Sequence, residues 1–120
     1  MRIIYHFVLK SDWEKAPPGP YAPASLPVEG FIHCSNANQV ERTSNKFYAN
    51  ATELLVLHLD ASRVGELRDE GSGESYPHIY GAIPREAIVA VEELRRGPDG
   101  RWEFISSATP APRGAGSDNR

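Results

Sequence analysis

The chain has a single cysteine, Cys34, in 120 residues. That excludes an internal disulfide and any multi-cysteine zinc or iron–sulfur site, and it fits a reducing compartment. Long apolar runs are missing too. Met1-Arg2-Ile3-Ile4-Tyr5-His6 opens too brief an apolar stretch, ahead of Lys10 and Asp12, for a signal-peptide core. Nowhere does the sequence approach the roughly 20 apolar residues that span a bilayer. Charge of one sign is scarce: a formal charge of −3 and a pI near 5.8 give no whole-chain attraction to nucleic acid or an anionic membrane. Only Arg95, Arg96 and Arg101 offer a small basic patch. Internal repeats, a glycine-rich nucleotide loop and the His-Glu-x-x-His metal spacing are all absent. The expectation is a soluble cytoplasmic protein with no membrane partner and no nucleic-acid partner.

Hydrophobic residues make up 40% of the chain, enough for one domain with a core of its own. That domain is expected over residues 1–105. Beyond Ser106 the composition falls to Ser, Ala, Pro, Gly and Arg, which predicts a disordered tail over 106–120.

Ile3 to Leu9 is rich in β-branched and aromatic residues and predicts a strand. Ser11 is a candidate cap for a short helical turn that must end before Pro17-Pro18-Gly19-Pro20. Tyr21 to Val28 reads as loop with one brief helical turn. Gly30 to Ser35 predicts a second strand, with Phe31, His33 and Ser35 on one face and Ile32 and Cys34 on the other. Asn36 and Gln39 have capping-box spacing, and Val40, Thr43, Phe47 and Ala51 then share a helical face. The helix start lies beside Ser35, a place suited to an anionic group such as a phosphate.

Leu54-Leu55-Val56-Leu57 is continuously apolar, so Glu53 to Asp60 predicts a buried strand. Ser62 to Leu67 suggests a short helix, and Arg68 to Ser75, holding Gly71 and Gly73, a mobile loop. Ile79 to Ile83 predicts a strand and Pro84 to Ala87 a turn. Ile88 to Leu94 and Arg101 to Ile105 flank Gly97-Pro98-Asp99-Gly100, a hairpin signal. Short strands with one main helix make this α+β rather than a doubly wound sheet.

His6, His33 and His78 all lie in predicted strands and are candidates for one cleft. Near neutral pH a histidine can serve as acid, base, hydrogen-bond partner or metal ligand. Each could equally be a structural histidine bonded to backbone, and His58, inside an apolar run, reads as structural. A three-histidine metal site would need three imidazoles to converge with an open position for water. Cys34 and His33 point to opposite faces, so Cys34 is assigned to the core. A Ser35–histidine nucleophile pair lacks a strand–turn–helix elbow and an evident orienting acid. Glu29 is either a surface charge or a carboxylate that orients His33. Tyr21, Tyr48 and Tyr80 could wall a flat ring; Trp13 and Trp102 read as packing.

Taken together, Ile4-Tyr5-His6, Trp13, Tyr21-Ala22-Pro23-Ala24-Ser25-Leu26, Glu29 to Ser35, Gln39-Val40, Asn45-Lys46-Phe47-Tyr48 and Pro77-His78-Ile79-Tyr80-Gly81 resemble a bacterial family. That family is known as domain of unknown function 952, and the resemblance runs from about residue 3 to residue 95. The order of motifs is more distantly similar to the ADP-ribosyltransferase-like fold, closest to the RNA 2′-phosphotransferases. In that comparison Tyr5-His6 resembles the NAD-contact motif of a first strand, and Gly30 to Ser35 a second strand carrying His and Ser. Leu54–Asp60 and Ile79-Tyr80 with Pro84 resemble later strands. His6 is followed by Phe7-Val8, where those enzymes have Gly-Thr. No phosphate-binding arginine cluster is evident, and their RNA-binding domain is missing.

The resemblance implies a compact ADP-ribosyltransferase-like α+β fold of short, mostly antiparallel strands. It implies an NAD- or ADP-ribose-related enzyme acting on a small molecule or nucleotide. His6, Ser35, Tyr80 and Tyr21 would bind the nucleotide, and His33, His78 and Glu29 would carry proton transfer or orientation. No metal is expected. The alternatives are a non-catalytic ligand-binding module that keeps the pocket, and a metal-dependent hydrolase using clustered histidines.

Overall fold

The computed structural model describes residues 1–104. It is α+β, with small antiparallel sheets and few helices, as the sequence predicts. The expected tail, 106–120, and the last residue of the expected domain lie outside the described residues. The first sheet orders β1 (Ile3–Leu9), β3 (Leu54–Asp60) and β6 (Ile88–Glu93) with β3 in the centre. The second orders β2 (Ile32–His33), β5 (Tyr76–Tyr80) and β4 (Glu66–Glu70) with β5 in the centre. A two-stranded ribbon, β7 (Arg95–Arg96) with β8 (Trp102–Glu103), completes the strands of the described residues.

All seven residues of β3 are buried because both faces of its sheet are covered. On one face Leu55, Leu57 and Leu59 pack with Ile4, Val8, Ile32, Ile79 and Ile83, so the two larger sheets share this core. On the other, Leu54 and Val56 pack with Tyr5, Phe7, Val40, Leu94 and Trp102. Helix α3 (Val40–Phe47) and the ribbon cover that second face. Asn45 clamps the ribbon by accepting from the Trp102 amide at 2.8 Å and donating to its carbonyl at 3.0 Å. Arg96 lies over the Trp102 ring and donates to the carbonyls of Ala49, Ala51 and Gly100, so it serves the fold rather than a basic patch.

Several expectations shift at this level. Ser11 lies inside α1 (Lys10–Lys15), whose preceding residue Leu9 gives no side-chain cap. The helical turn within the proline-rich loop is α2 (Leu26–Glu29), closed by Gly30 at φ +86°. The capping box of Asn36 and Gln39 is present, but it opens a 3-10 turn over Ala37–Gln39 before α3 begins. α3 buries Val40 and Ser44, whereas Phe47, expected on the buried face, is 67% exposed. The helix expected over 62–67 is a 3-10 turn, Ala61–Arg63, followed by β4. β4 also takes residues 68–70 from the expected mobile loop. Its burial pattern explains the miss: in Glu66-Leu67-Arg68-Asp69-Glu70 only Leu67 faces the core among charged neighbours.

Candidate functional site

The site begins where the two large sheets part. Tyr5 and Ser35 exchange both backbone hydrogen bonds, at 2.9 and 2.7 Å. In a continuing antiparallel ladder the next exchange would join Phe7 to His33. Instead the chain at Cys34 turns to β5, donating its amide to the Pro77 carbonyl at 2.9 Å. The His33 carbonyl left behind accepts from His6 Nδ1 at 2.7 Å. A carbonyl can only accept, so Nδ1 carries the proton and Nε2 is left with a lone pair. Among the described residues, that Nε2 is the one fully buried side-chain polar atom with no partner. Burial pushes the His6 pKa down to about 4, the His33 carbonyl opposing and the His33 ring adding to the fall. At neutral pH His6 is an uncharged ring with a fixed acceptor.

The His33 and His78 rings stand beside it. These residues face each other across β2 and β5, with ring centroids 5.0 Å apart at 84°. Their neighbours Ile32 and Ile79 face each other in the core, so strand alternation holds both imidazoles on the outer face. Each has a carboxylate partner. His33 Nε2 lies 2.7 Å from Glu29 Oε1, at the end of α2. His78 Nδ1 lies 2.9 Å from Glu70 Oε1 on β4, and the same oxygen accepts from the Tyr80 hydroxyl at 2.5 Å. The Tyr80 and His78 donors hold Glu70 below the usual carboxylate range. Phe31 stacks on the His78 ring at 4.2 Å and 24°, and Arg68 lies over the Tyr80 ring at 4.6 Å.

A cleft of about 780 Å³ joins these groups. His6, Ser35, His33 and His78 line one wall, and Arg42, Lys46 and Phe47 of α3 the other. Glu70, Glu74 and Tyr76 close a side. The structure therefore brings together His6, His33, His78 and Ser35, with Glu29 attached through His33. Tyr80 reaches the cleft only through Glu70. Tyr21 is buried behind His6, ring centroids 6.0 Å apart, and lines a separate groove of about 340 Å³ beside Pro17 and Pro20. Cys34 is in the core, where burial pushes its thiol pKa up and leaves it unreactive. His58, also buried, pairs with Glu92 at 2.8 Å. Among the described residues no group of three His, Cys, Asp or Glu side chains could hold a metal ion.

Glu70 is the residue that sequence reasoning missed. It sits eight positions before His78, but the glycines after it disguised the hairpin that pairs β4 with β5. Arg42 and Lys46 carry no local signal of a site in the sequence, and the structure places them on the same cleft as the histidines. Replacing Glu70 with Ala should free the His78 ring, since one oxygen anchors both His78 and Tyr80. The expected outcome is a change in His78 tautomer balance and an upfield move of the Tyr80 hydroxyl proton. Ring ¹⁵N and hydroxyl NMR would read it, and an unchanged His78 spectrum would refute the anchoring role.

The family model described as a protein of unknown function (DUF952) matches residues 7–91. No curated protein matches the chain. The crystal structure of protein CC0527 from Caulobacter crescentus is similar at 26% identity and a TM-score of 0.74, covering 84% of this chain and 93% of that one. The solution NMR structure of CC0527 gives 28% identity and a TM-score of 0.69, covering 84% and 91%. No helix of the described residues is long and apolar enough to cross a membrane.

Proposed function

The chain belongs to the DUF952 family, and from its own site we propose that it binds NAD or an ADP-ribose-type nucleotide as an ADP-ribosyltransferase-like enzyme. The acceptor would be a small molecule or a nucleotide. The observation that carries this reading is the convergence of His6, His33 and His78 on one cleft, with the buried Nε2 of the His6 ring unpartnered. A buried acceptor without a partner costs about 1–3 kcal/mol, which a ligand hydroxyl or amide donor would offset. The cleft volume falls in the range of small-molecule and cofactor sites.

When bound, NAD supplies a ribosyl carbon activated by its positively charged leaving group. His6 would accept a hydrogen bond from the nucleotide and, being neutral, would not oppose that charge. Ser35, buried and lining the same cleft, would offer the nucleotide a hydroxyl. His78 keeps its proton on Nδ1 toward Glu70, so its Nε2 is free to take a proton from an acceptor. Glu29 holds His33 Nε2 and leaves Nδ1 as the second free ring nitrogen.

Calorimetry with NAD, ADP-ribose and ADP-ribose 1″-phosphate tests the reading, together with chromatography for released nicotinamide. Binding tighter than about 1 mM is expected, weakened about tenfold or more by His6→Asn, which keeps a donor near Nδ1 and removes Nε2. No binding at millimolar ligand would overturn the proposal. Binding without nicotinamide release would instead indicate a non-catalytic binding module.

A further inference from the structure

The wall opposite the histidines carries a second constellation. Arg42 Nη2 donates to Glu74 Oε2 at 2.5 Å, and Gln39 Nε2 donates to the same oxygen at 2.9 Å. The Tyr76 hydroxyl donates to Glu74 Oε1 at 3.3 Å. Donors from three residues thus converge on one exposed carboxylate. Gln39 is nearly fully buried, and its amide is held by the Ser75 carbonyl at 2.9 Å while its oxygen closes the capping box on Asn36. The cradle is fixed from beneath. Its occupant is one exposed side chain, Glu74, on the turn between β4 and β5. Lys46, one helical turn beyond Arg42, also lines the cleft and makes no ion pair among the described residues.

We propose that Gln39, Arg42 and Tyr76 form an oxyanion subsite of the cleft for a ligand phosphate, and that the Glu74 carboxylate is its resident stand-in. A carboxylate is the nearest side-chain mimic of a phosphate face, and it accepts from Arg42 and Gln39 as a phosphate would. A phosphate group carries more charge than Glu74 and has a second cation within one helical turn, so it gains from Lys46 what Glu74 does not. The difference drives the exchange, and the Glu74 side chain rotates out as the phosphate enters while the Ser75 carbonyl keeps its bond to Gln39. Glu74 lowers affinity by occupying the site, since apparent binding scales with the fraction of protein whose cradle is open. The subsite deepens the nucleotide reading above by naming where the diphosphate of such a ligand would be gripped.

Inorganic pyrophosphate is the probe, titrated into the full chain by calorimetry with ¹⁵N NMR of the Gln39 and Arg42 side chains. Glu74→Gln should bind it about tenfold or more tightly than wild type, because the competing charge is gone. Glu74→Ala should do the same with the carboxylate removed altogether. Glu86→Gln, the same charge change on an exposed turn outside the cleft, should leave affinity unchanged. Adding Arg42→Gln to Glu74→Gln should abolish the gain. Equal affinities for Glu74→Gln and Glu86→Gln would overturn the proposal, as would a gain that survives loss of Arg42. If pyrophosphate follows this pattern and ADP-ribose fails to bind, the nucleotide reading alone falls. If ADP-ribose binds wild type and Glu74→Gln equally, the anion subsite alone falls.

Discussion

Lowering the pH from 6.5 to 4 should cost the protein about 3 kcal/mol of stability through His6 alone. In the unfolded chain this imidazole titrates near 6.5, whereas in the fold burial lowers its pKa to about 4. Between those values the unfolded state binds the extra proton, so stability falls as pH falls. Above the unfolded pKa the contribution is fully present, and below about pH 4 it is gone. The magnitude follows from the pKa gap at about 1.4 kcal/mol per unit. Protonation would also give Nε2 a hydrogen with no acceptor, in a site where the Nδ1 proton is already committed to the His33 carbonyl. His6→Asn has no titration in this range and keeps a donor for that carbonyl. Urea denaturation across the window should therefore show a steeper loss for wild type than for the variant. The difference between the two profiles isolates the His6 contribution, because the other groups are common to both proteins. Parallel profiles would show that His6 is not held neutral by the fold.

Ile79→Ala should destabilise the domain by about 2–5 kcal/mol, the range for truncating a buried aliphatic side chain to alanine. Ile79 is fully buried on β5, the central strand of its sheet, paired with Ile32 on one side and Leu67 on the other. Its side chain meets the first sheet across the shared core. Against a total stability of about 5–15 kcal/mol for a domain, that loss is a large fraction. Ile79→Val should cost only about 0.5–1.5 kcal/mol. Urea midpoints at unchanged m-value would confirm both, whereas an alanine variant within about 0.5 kcal/mol of wild type would contradict the packing account. Because Ile79 alternates with His78 and Tyr80 along one strand, the alanine variant should also loosen the imidazole face. Broadened His33 and His78 resonances would report that coupling.

The contrast between Ile79 and Glu70 shows how far local pattern reaches. Leu54 to Leu57 announced a buried strand because a continuous apolar run can be satisfied only by cover on both faces, and β3 has that cover. Ile32 and Cys34 pointing inward, with His33 outward, followed from the two-residue period of a strand. The capping box of Asn36 and Gln39 was legible because its partners are three residues apart. The family resemblance carried by the Gly30 to Ser35 string agrees with the match over residues 7–91.

What only the tertiary structure decided are the pairings between distant strands. Glu70 meets His78 because β4 and β5 form a hairpin around a glycine-bearing turn, and the charged composition of β4 hides it. The neutral state of His6 comes from its burial where two sheets diverge, and its tautomer from a carbonyl 27 positions away. Tyr21 and Tyr80, assigned to the nucleotide by resemblance, are turned to another groove and to Glu70. By itself the sequence determined the α+β class, the main strands and the face His33 takes, because these rest on periods of two to four residues. It could not determine which acid serves which histidine, which ring is held neutral, or that α3 faces them across a cleft. Those depend on contacts between segments whose separation along the chain leaves no local trace.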